Sequence, residues 1–325
     1  MKAVYERGGT QKNFYQSHEV EETNCLNCES NKKTRLHTEF GSIGIVKCNN
    51  CNLIYTSPRP LESEKNYHGD INLYEREYDY IFKNILTHHR DINYNQEISI
   101  IKKHKPLGKL LDVGTNAGRF LHLTIKSGYD GYGVEPSPSL SKLAIEKLNL
   151  KIENCTLSES SYENNSFDII TAIDVFEHIN KPKEFLKDCS RLLKNKGNVI
   201  IKIPNGNYNL LKLRLAKLLN KETSKMDIFD SYEHVVHHTK ETFKNFIENN
   251  NFKIEKIYAP LPINTPVWAK YLGQYYQYPS PWVLDWKKIL FRKIFHFIGK
   301  FEVQFKTKIH FQPDLLYVLT KKSQL

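Results

Sequence analysis

Two tight cysteine pairs offer the clearest chemistry in the chain. Cys25-Leu-Asn-Cys28 and Cys48-Asn-Asn-Cys51 are separated by nineteen residues, giving C-x2-C-x19-C-x2-C. Two such chelating turns suit four thiolates around a tetrahedral zinc at about 2.3 Å from each sulfur, and a zinc with all four positions filled by protein is structural, with no place left for water. The competing reading, four cysteines that only pack, rarely produces two pairs at this spacing. A second concentration is SYEHVVHHT, residues 231–239, which gathers Glu233, His234, His237 and His238. Histidine titrates near pH 6.5, so such a group is able to take up a proton at neutral pH; the bland alternative is that these histidines cap the next helix or fill a core position. Asp174, Glu177 and His178 stand at i, i+3 and i+4, which a helical start would bring to one face.

A glycine turn supplies a third kind of chemistry. In LLDVGTNAGRF, residues 110–120, an apolar run enters Asp112-Val113-Gly114 and leaves into a helix near Gly118. A strand-to-helix corner of this kind exposes backbone N–H groups at the carboxyl edge of a sheet, where open α/β sheets bind ligands. Three positions after Gly118 stands Leu121 rather than a third glycine, so a pyrophosphate pressing on the helix start would fit badly. Twenty-one residues beyond Gly114, at the end of the next apolar run, comes Glu135. A carboxylate at that distance accepts hydrogen bonds from both hydroxyls of a ribose and repels a 2′-phosphate. The ligand expected is a nucleoside without phosphates.

These groups need elements to hold them. Apolar runs at 109–113, 130–134, 167–173 and 198–203 alternate with helix-spaced stretches at 117–127, 138–148 and 182–194, with two further strands at 252–259 and 314–322. Strand and helix in alternation imply a parallel sheet covered on both faces. Residues 24–57 read as a small ribbon of β-hairpins, Ser57-Pro-Arg-Pro60 as a break, and 61–105, with Tyr74, Tyr78, Ile81, Phe82 and Ile85, as a helical connector. The domain expectation is a ribbon at 20–57, a connector at 58–105, and an α/β domain at 106–325 with insertions at 206–231 and 260–308.

Four motifs in order, D-V-G-x-N-x-G at 112–118, G-Y-G-V-E-P-S at 131–137, SFDIITAIDVFEHI at 166–179 and LLKNKGNVIIKIPN at 192–205, resemble class I S-adenosylmethionine-dependent methyltransferases. The resemblance covers 106–259, and again 309–322. It implies an α/β, Rossmann-like sheet of seven strands whose last strand is antiparallel. S-adenosylmethionine is then expected at Asp112, Gly114, Asn116 and Gly118, with the two glycines around its methionine end. Glu135 is expected on its ribose, Thr156 and Leu157 beside its adenine, and Asp174 and Val175 on the floor near the methyl group. Asn116 replaces the glycine that many members carry, and asparagine tolerates a left-handed backbone better than other residues with a side chain.

G-x-N-x-G, an amino-terminal zinc ribbon and Tyr232-Glu233-His234 are similar to features of sugar-modifying members, in which the corresponding histidine is the base. His234 oriented by Glu233 is accordingly the expected general base. Sugar C-methyltransferases usually carry a further carboxyl-terminal domain that this sequence lacks, so oxygen is the expected methyl acceptor. In the related ubiquinone O-methyltransferases, residues like Asp174, Glu177 and His178 are associated with a divalent cation; the alternative here is an architectural signature of the fold.

Bulk composition narrows the partners. The chain has 325 residues, 40% of them apolar, and a formal charge of +11. Residues 206–225 carry a local +4 and residues 260–325 a local +7, so the excess is confined to two segments. That suggests a one-sided surface facing an anionic partner. Segments 208–221, with Leu211, Leu215 and Leu218, and 284–301, with Trp286, Leu290, Ile294 and Ile298, place apolar residues on one helical face and lysines largely elsewhere; such helices lie on anionic lipid, or else form a lid or dimer face. No stretch approaches 18 uninterrupted apolar residues and the amino terminus has no apolar leader, so the expectation is a cytoplasmic protein, peripheral at most to the membrane's inner face. The function expected is methyl transfer to a sugar, nucleotide-sugar or lipid-linked glycan. Quinone or lipid O-methylation, and a zinc-ribbon RNA-binding methyltransferase, are the alternatives; the cancelling charges of the ribbon speak against nucleic acid.

Overall fold

A computed structural model describes residues 14–61, 90–219, 223, 227–262, 286–305 and 311–322. Most of the expected connector (62–89), parts of the first insertion (220–222 and 224–226), two stretches of the second (263–285 and 306–308) and residues 309–310 after it lie outside the described residues.

After short strands β1 (Val20–Glu21), β2 (Lys33–Glu39), β3 (Ile43–Cys48), β4 (Ile54–Thr56) and β5 (Arg59–Pro60), the chain enters helix α1 (Asp91–His104). It then runs β6 (Lys109–Val113), α2 (Arg119–Lys126), β7 (Asp130–Val134), α3 (Pro138–Leu148), β8 (Ile152–Glu153), β9 (Phe167–Ile173), α4 (Pro182–Leu192) and β10 (Leu193–Pro204). The remainder is α5 (Gly206–Leu218), β11 (Val236–His237), α6 (Lys240–Asn249), β12 (Phe252–Tyr258), α7 (Trp286–Phe305) and β13 (Asp314–Lys321).

Seven strands form one mixed sheet in the order β12-β13-β10-β9-β6-β7-β8, with β13 antiparallel to both of its neighbours. Successive residues of each central strand alternate between two cores, as the two-residue period of a pleated strand requires. Leu110, Ile169, Ile200 and Leu316 pack with Ile98, Phe120 and Ala144 from α1, α2 and α3. Leu111, Ile170, Ile201 and Tyr317 pack with Leu186, Phe243 and Phe246 from α4 and α6. These strands therefore read as continuous apolar runs in the sequence. Strand β10 begins at Leu193, five residues before the expected start, because Leu193 already pairs with Phe167 ahead of an irregularity that ends at Asn198. Strand β8, only two residues long, carries no sequence signal.

The cysteine-rich segment builds a second sheet, β11-β4-β3-β2, whose outer strand β11 comes from the histidine segment 231–239. Beyond Thr56 the chain stays in the same hydrogen-bonded framework: Gly44 N–H donates to Pro58 O and β5 pairs with β1. The Ser-Pro-Arg-Pro stretch is thus an outer edge of the ribbon. Helix α1 supplies the described end of the connector and is tied to the sheet domain by the buried Asp91–Arg119 pair (Nε to Oδ1, 2.9 Å).

Candidate active site

Strand β6 delivers Asp112 and Val113 to the carboxyl edge of the sheet, and Gly114 turns away with φ 68°. An added Cβ at Gly114 would stand 2.7 Å from Val175 Cγ2, so the glycine turn and the end of β9 are in direct contact. Asn116 takes the left-handed conformation expected of it, φ 53°, and its N–H donates to Glu135 Oε2 at 2.7 Å. Ser137 N–H donates to Glu135 Oε1 at 2.9 Å. Glu135 therefore clamps the turn to the end of β7. A carboxylate has about four acceptor positions, so each oxygen keeps acceptor capacity beyond the one N–H it binds. Burial pushes the Glu135 carboxyl above its ordinary pKa, against the two N–H donors.

The other residues expected at the cofactor are distributed around this turn. Gly118, φ 83°, is the residue before α2, where an added Cβ would overlap Leu150 and meet Ala144 Cβ at 3.0 Å. Thr156 caps a short helical turn, its hydroxyl donating to Glu159 Oε2 at 2.7 Å, and Leu157 is buried in the main core. Asp112 reaches the neighbouring strand β9, where Thr171 Oγ1 donates to its Oδ1 at 2.7 Å. Burial pushes the Asp112 carboxyl up to about 7; Thr171 opposes this while Glu135 and Glu97 add to it.

Asp174 lies just beyond β9 with φ 57°, and its Oδ2 accepts from Arg90 Nη2 at 2.7 Å and Lys202 Nζ at 3.1 Å. Burial would raise this carboxyl, but Lys202 and Arg90 hold it down to about 2. Lys202 is wholly buried and also stands 2.9 Å from Glu97 Oε1. Asp174 thus anchors an ion network under the sheet edge, while Val175 faces the turn. Sequence reasoning missed this network, although one lysine inside the apolar run of β10 was its visible trace.

The histidine segment splits. His238 packs against Phe176, Phe243 and Phe246, and burial lowers its pKa to about 3; His237 is likewise buried and held neutral. For these two the core-filling alternative holds. His234 instead stands over Glu177 and His178: its Nε2 is 4.0 Å from Glu177 Oε1 and 3.9 Å from Asp230 Oδ2, and its ring centroid is 4.8 Å from that of His178. Glu233 contributes its backbone carbonyl, which lies 3.1 Å from His178 Nδ1. A carbonyl only accepts, so His178 carries its proton on Nδ1. Burial and the neighbouring Asp174 push the Glu177 carboxyl well above the usual range. Ligand atoms of Glu177, His178 and His234 lie within 4.8 Å of one another, a donor set able to hold a metal ion. The approach of His234 to Glu177 across 57 positions had no signal in the spacing.

The four cysteines also converge, all Sγ atoms lying within 4.8 Å of one another. The close pairs run between the two turns, Cys25 to Cys51 at 3.4 Å and Cys28 to Cys48 at 3.5 Å. Both turns have the same backbone. Glu29 N–H donates to Cys25 O and Asn52 N–H to Cys48 O, while the N–H of Cys25 and of Cys48 donates to Ser30 O and Leu53 O. Glu29 and Asn52 both adopt positive φ. Two equivalent knuckles that face one another fit a tetrahedral S4 donor set.

Residues 74–257 match the sequence profile of a family described as a methyltransferase domain. An uncharacterized protein of Methanocaldococcus jannaschii is 30% identical over 174 residues, covering 53% of this chain and 80% of that protein. The ubiquinone biosynthesis O-methyltransferase of Bradyrhizobium diazoefficiens is 32% identical over 112 residues, and the chain spans only 44% of that relative's length. Among solved structures, a SAM-dependent methyltransferase from Archaeoglobus fulgidus aligns with a TM-score of 0.47 at 19% identity, covering 77% of this chain and 100% of the other. A match over more than half of the chain, on a mixed seven-stranded sheet with a glycine turn and an acid at the next strand end, means that the chain belongs to the methyltransferase-domain family and is an S-adenosylmethionine-dependent methyltransferase.

Proposed function

We propose that the enzyme methylates a hydroxyl of a sugar, nucleotide-sugar or lipid-linked glycan, with His234 as general base. The observation that carries this reading is the contact of Gly114 with Val175, two residues before the Glu177 that stands 4.0 Å from His234 Nε2. Turn and histidine thereby share one edge of the sheet. When bound, S-adenosylmethionine supplies an electrophilic methyl group. Gly114, Asn116 and Gly118 receive its amino-acid end, Glu135 its ribose, Thr156 and Leu157 its adenine, with Asp112 bracing the turn from below and Asp174-Val175 closing the floor. His234 Nε2 would take the proton from the acceptor hydroxyl, freeing that oxygen to accept the methyl group that the bound cofactor would supply. Four cysteines hold a structural zinc that keeps the ribbon folded. Sugar specificity is supported by the ribbon, the G-x-N-x-G turn and the Tyr-Glu-His segment. A phenolic or quinone acceptor is the second reading, favoured by the sequence similarity to ubiquinone biosynthesis O-methyltransferases and by the exposed apolar face of α7. That basic helix is also the proposed point of peripheral membrane contact.

The test combines calorimetry with S-adenosylhomocysteine and transfer of labelled methyl groups into fractionated cell extract. Glu135→Ala removes a charged acceptor worth about 1.5–3 kcal/mol, so the affinity is expected to fall roughly 10- to 150-fold. His234→Ala is expected to keep that affinity and lose labelling. Label entering saccharide fractions supports the sugar, label in the quinone fraction the second reading. Labelling undiminished by His234→Ala would remove the histidine from the chemistry.

A further inference from the structure

The ribbon and the histidine segment are joined far more closely than two domains in contact. Strand β11, two residues long, pairs among the described residues with β4 alone: Val236 is opposite Tyr55 and His237 opposite Ile54, with Thr56 N–H donating to Val235 O at 3.1 Å. A strand this short has no stability of its own. The side chains of Val235 and Val236 complete a core with Cys25, Cys48, Leu53 and Tyr55, so the apolar lining of the four-cysteine cluster includes the two residues that follow His234.

Two ribbon side chains reach further. The buried hydroxyl of Thr56 donates to His234 O at 2.6 Å and lies 3.0 Å from His237 Nε2. A hydroxyl has one proton, and a carbonyl can only accept it, so the His237 Nε2–H donates to Thr56 Oγ1. At the far end of β2, Glu39 is wholly buried. Its Oε1 accepts from the N–H groups of Ile228 and Phe229 at 2.8 and 3.0 Å, and its Oε2 from Ser231 Oγ at 2.6 Å. That loop carries Asp230, whose carbonyl accepts the His234 N–H at 2.9 Å. On the opposite side Val235 N–H donates to Glu177 O at 2.9 Å. His234 is therefore suspended between the ribbon and the end of β9, while the turn at Gly114 and the clamp at Glu135 share no hydrogen bond with either ribbon residue.

We propose that the metal-binding ribbon is a positioning clamp for the base, with Thr56 and Glu39 as positioning residues and zinc occupancy setting the order of residues 228–237 independently of the cofactor pocket. This rests on His234 as the base, as proposed above. A ribbon of this size buries too little apolar surface to fold unaided, and metal binding supplies the difference. Because Val235 and Val236 belong to that same core, loss of the metal would release the segment that carries His234.

The test is hydrogen exchange of the 228–237 segment in the zinc-loaded full chain, in Thr56→Val, in Thr56→Ser and after zinc is withdrawn by a chelator, with S-adenosylhomocysteine affinity measured on each. Valine keeps the shape of threonine and loses the hydroxyl, whereas serine restores it. Exchange is expected to speed roughly tenfold or more in Thr56→Val and in the zinc-depleted protein, and to stay within about twofold of wild type in Thr56→Ser. S-adenosylhomocysteine affinity is expected to change by less than about twofold throughout. Unchanged exchange after zinc withdrawal, equal damage from serine and valine, or a parallel loss of affinity would each overturn the clamp. If instead exchange behaves as expected while His234→Ala leaves labelling intact, the clamp stands and the assignment of the base fails.

Discussion

Asp112, proposed to brace the glycine turn, carries a pH dependence of its own. Its carboxyl is tied to Thr171 and pushed up to about 7 by burial, whereas in the unfolded chain it titrates near about 3.9. Between those values the folded protein keeps a proton that the unfolded chain has released. Stability therefore falls as pH rises from about 4 to about 7, by at most about 1.4 kcal/mol per pH unit, and the loss is complete above the folded value. Asp112→Asn removes the titration while its carbonyl oxygen still accepts from Thr171. Urea unfolding of both proteins at pH 5 and pH 8 is expected to show the variant gaining on wild type as pH rises. A difference independent of pH would mean that Asp112 ionises in the folded protein as freely as in the unfolded one. Asp174 has the opposite sign: its pKa is depressed to about 2, so its contribution is lost only as pH falls below the unfolded value. The two carboxylates, at the ends of neighbouring strands, thus act on stability in separate pH ranges.

The elements are where the sequence was most legible, and Gly118 shows why. Its place at the start of α2 follows from the strand-turn-helix pattern, and the structure adds two physical demands: φ of 83° and close approach to Ala144 and Leu150. Gly118→Ala violates both and is expected to cost about 1–3 kcal/mol, read as a lower urea midpoint with an unchanged slope. An unchanged midpoint would mean that α3 and the segment after it can move aside without loss. The central strands announced themselves because both of their faces are buried, so nearly every position had to be apolar; Asp112, Thr171 and Lys202 are buried exceptions held by hydrogen bonds or ion pairs. Helices α3 and α4 announced themselves through a proline at their first helical position. Strand β11 was illegible for the converse reason: it exists only through its partner in the ribbon, and no local pattern records a pairing across 180 positions. The same holds for His234 beside Glu177, and for Glu39, which counted only among the ribbon's cancelling charges yet organises a loop nearly two hundred residues away. Local periodicity reveals elements, whereas the site was assembled by long-range contacts that only the fold supplies.

At the scale of the whole molecule, the uneven charge finds a structural counterpart in α7. One face of this helix is docked: His296 Nε2 lies 2.9 Å from Gln96 Nε2, Gly299 packs on Gln312 and Ala259, and Glu302 accepts from the N–H groups of Phe311 and Gln312. Leu290, Ile294, Phe297, Phe301 and Phe305 follow one another at intervals of three or four residues on the other face and are exposed, Phe297 to 72%. Exposed phenylalanines on a helix bearing Lys293 and Lys300 combine the two contributions that hold a helix on an anionic bilayer surface. No helix among the described residues is long and apolar enough to cross a membrane, so contact would be confined to the interface. Each phenylalanine transferred from water is worth about 1.5–3 kcal/mol, and the basic charges add a contribution that salt screens within about 10 Å at 0.1 M. Replacing Phe297 and Phe301 together with serine is therefore expected to lower partitioning onto phosphatidylserine-containing vesicles at least about tenfold, with S-adenosylhomocysteine affinity unchanged. Raising the salt should weaken the wild type further. Vesicles of neutral lipid are expected to bind it poorly at any salt. Partitioning that ignores both the serine substitutions and the salt would leave this face to a protein partner, and a dimer that dissociates in the same double variant would identify that partner as a second copy of the chain.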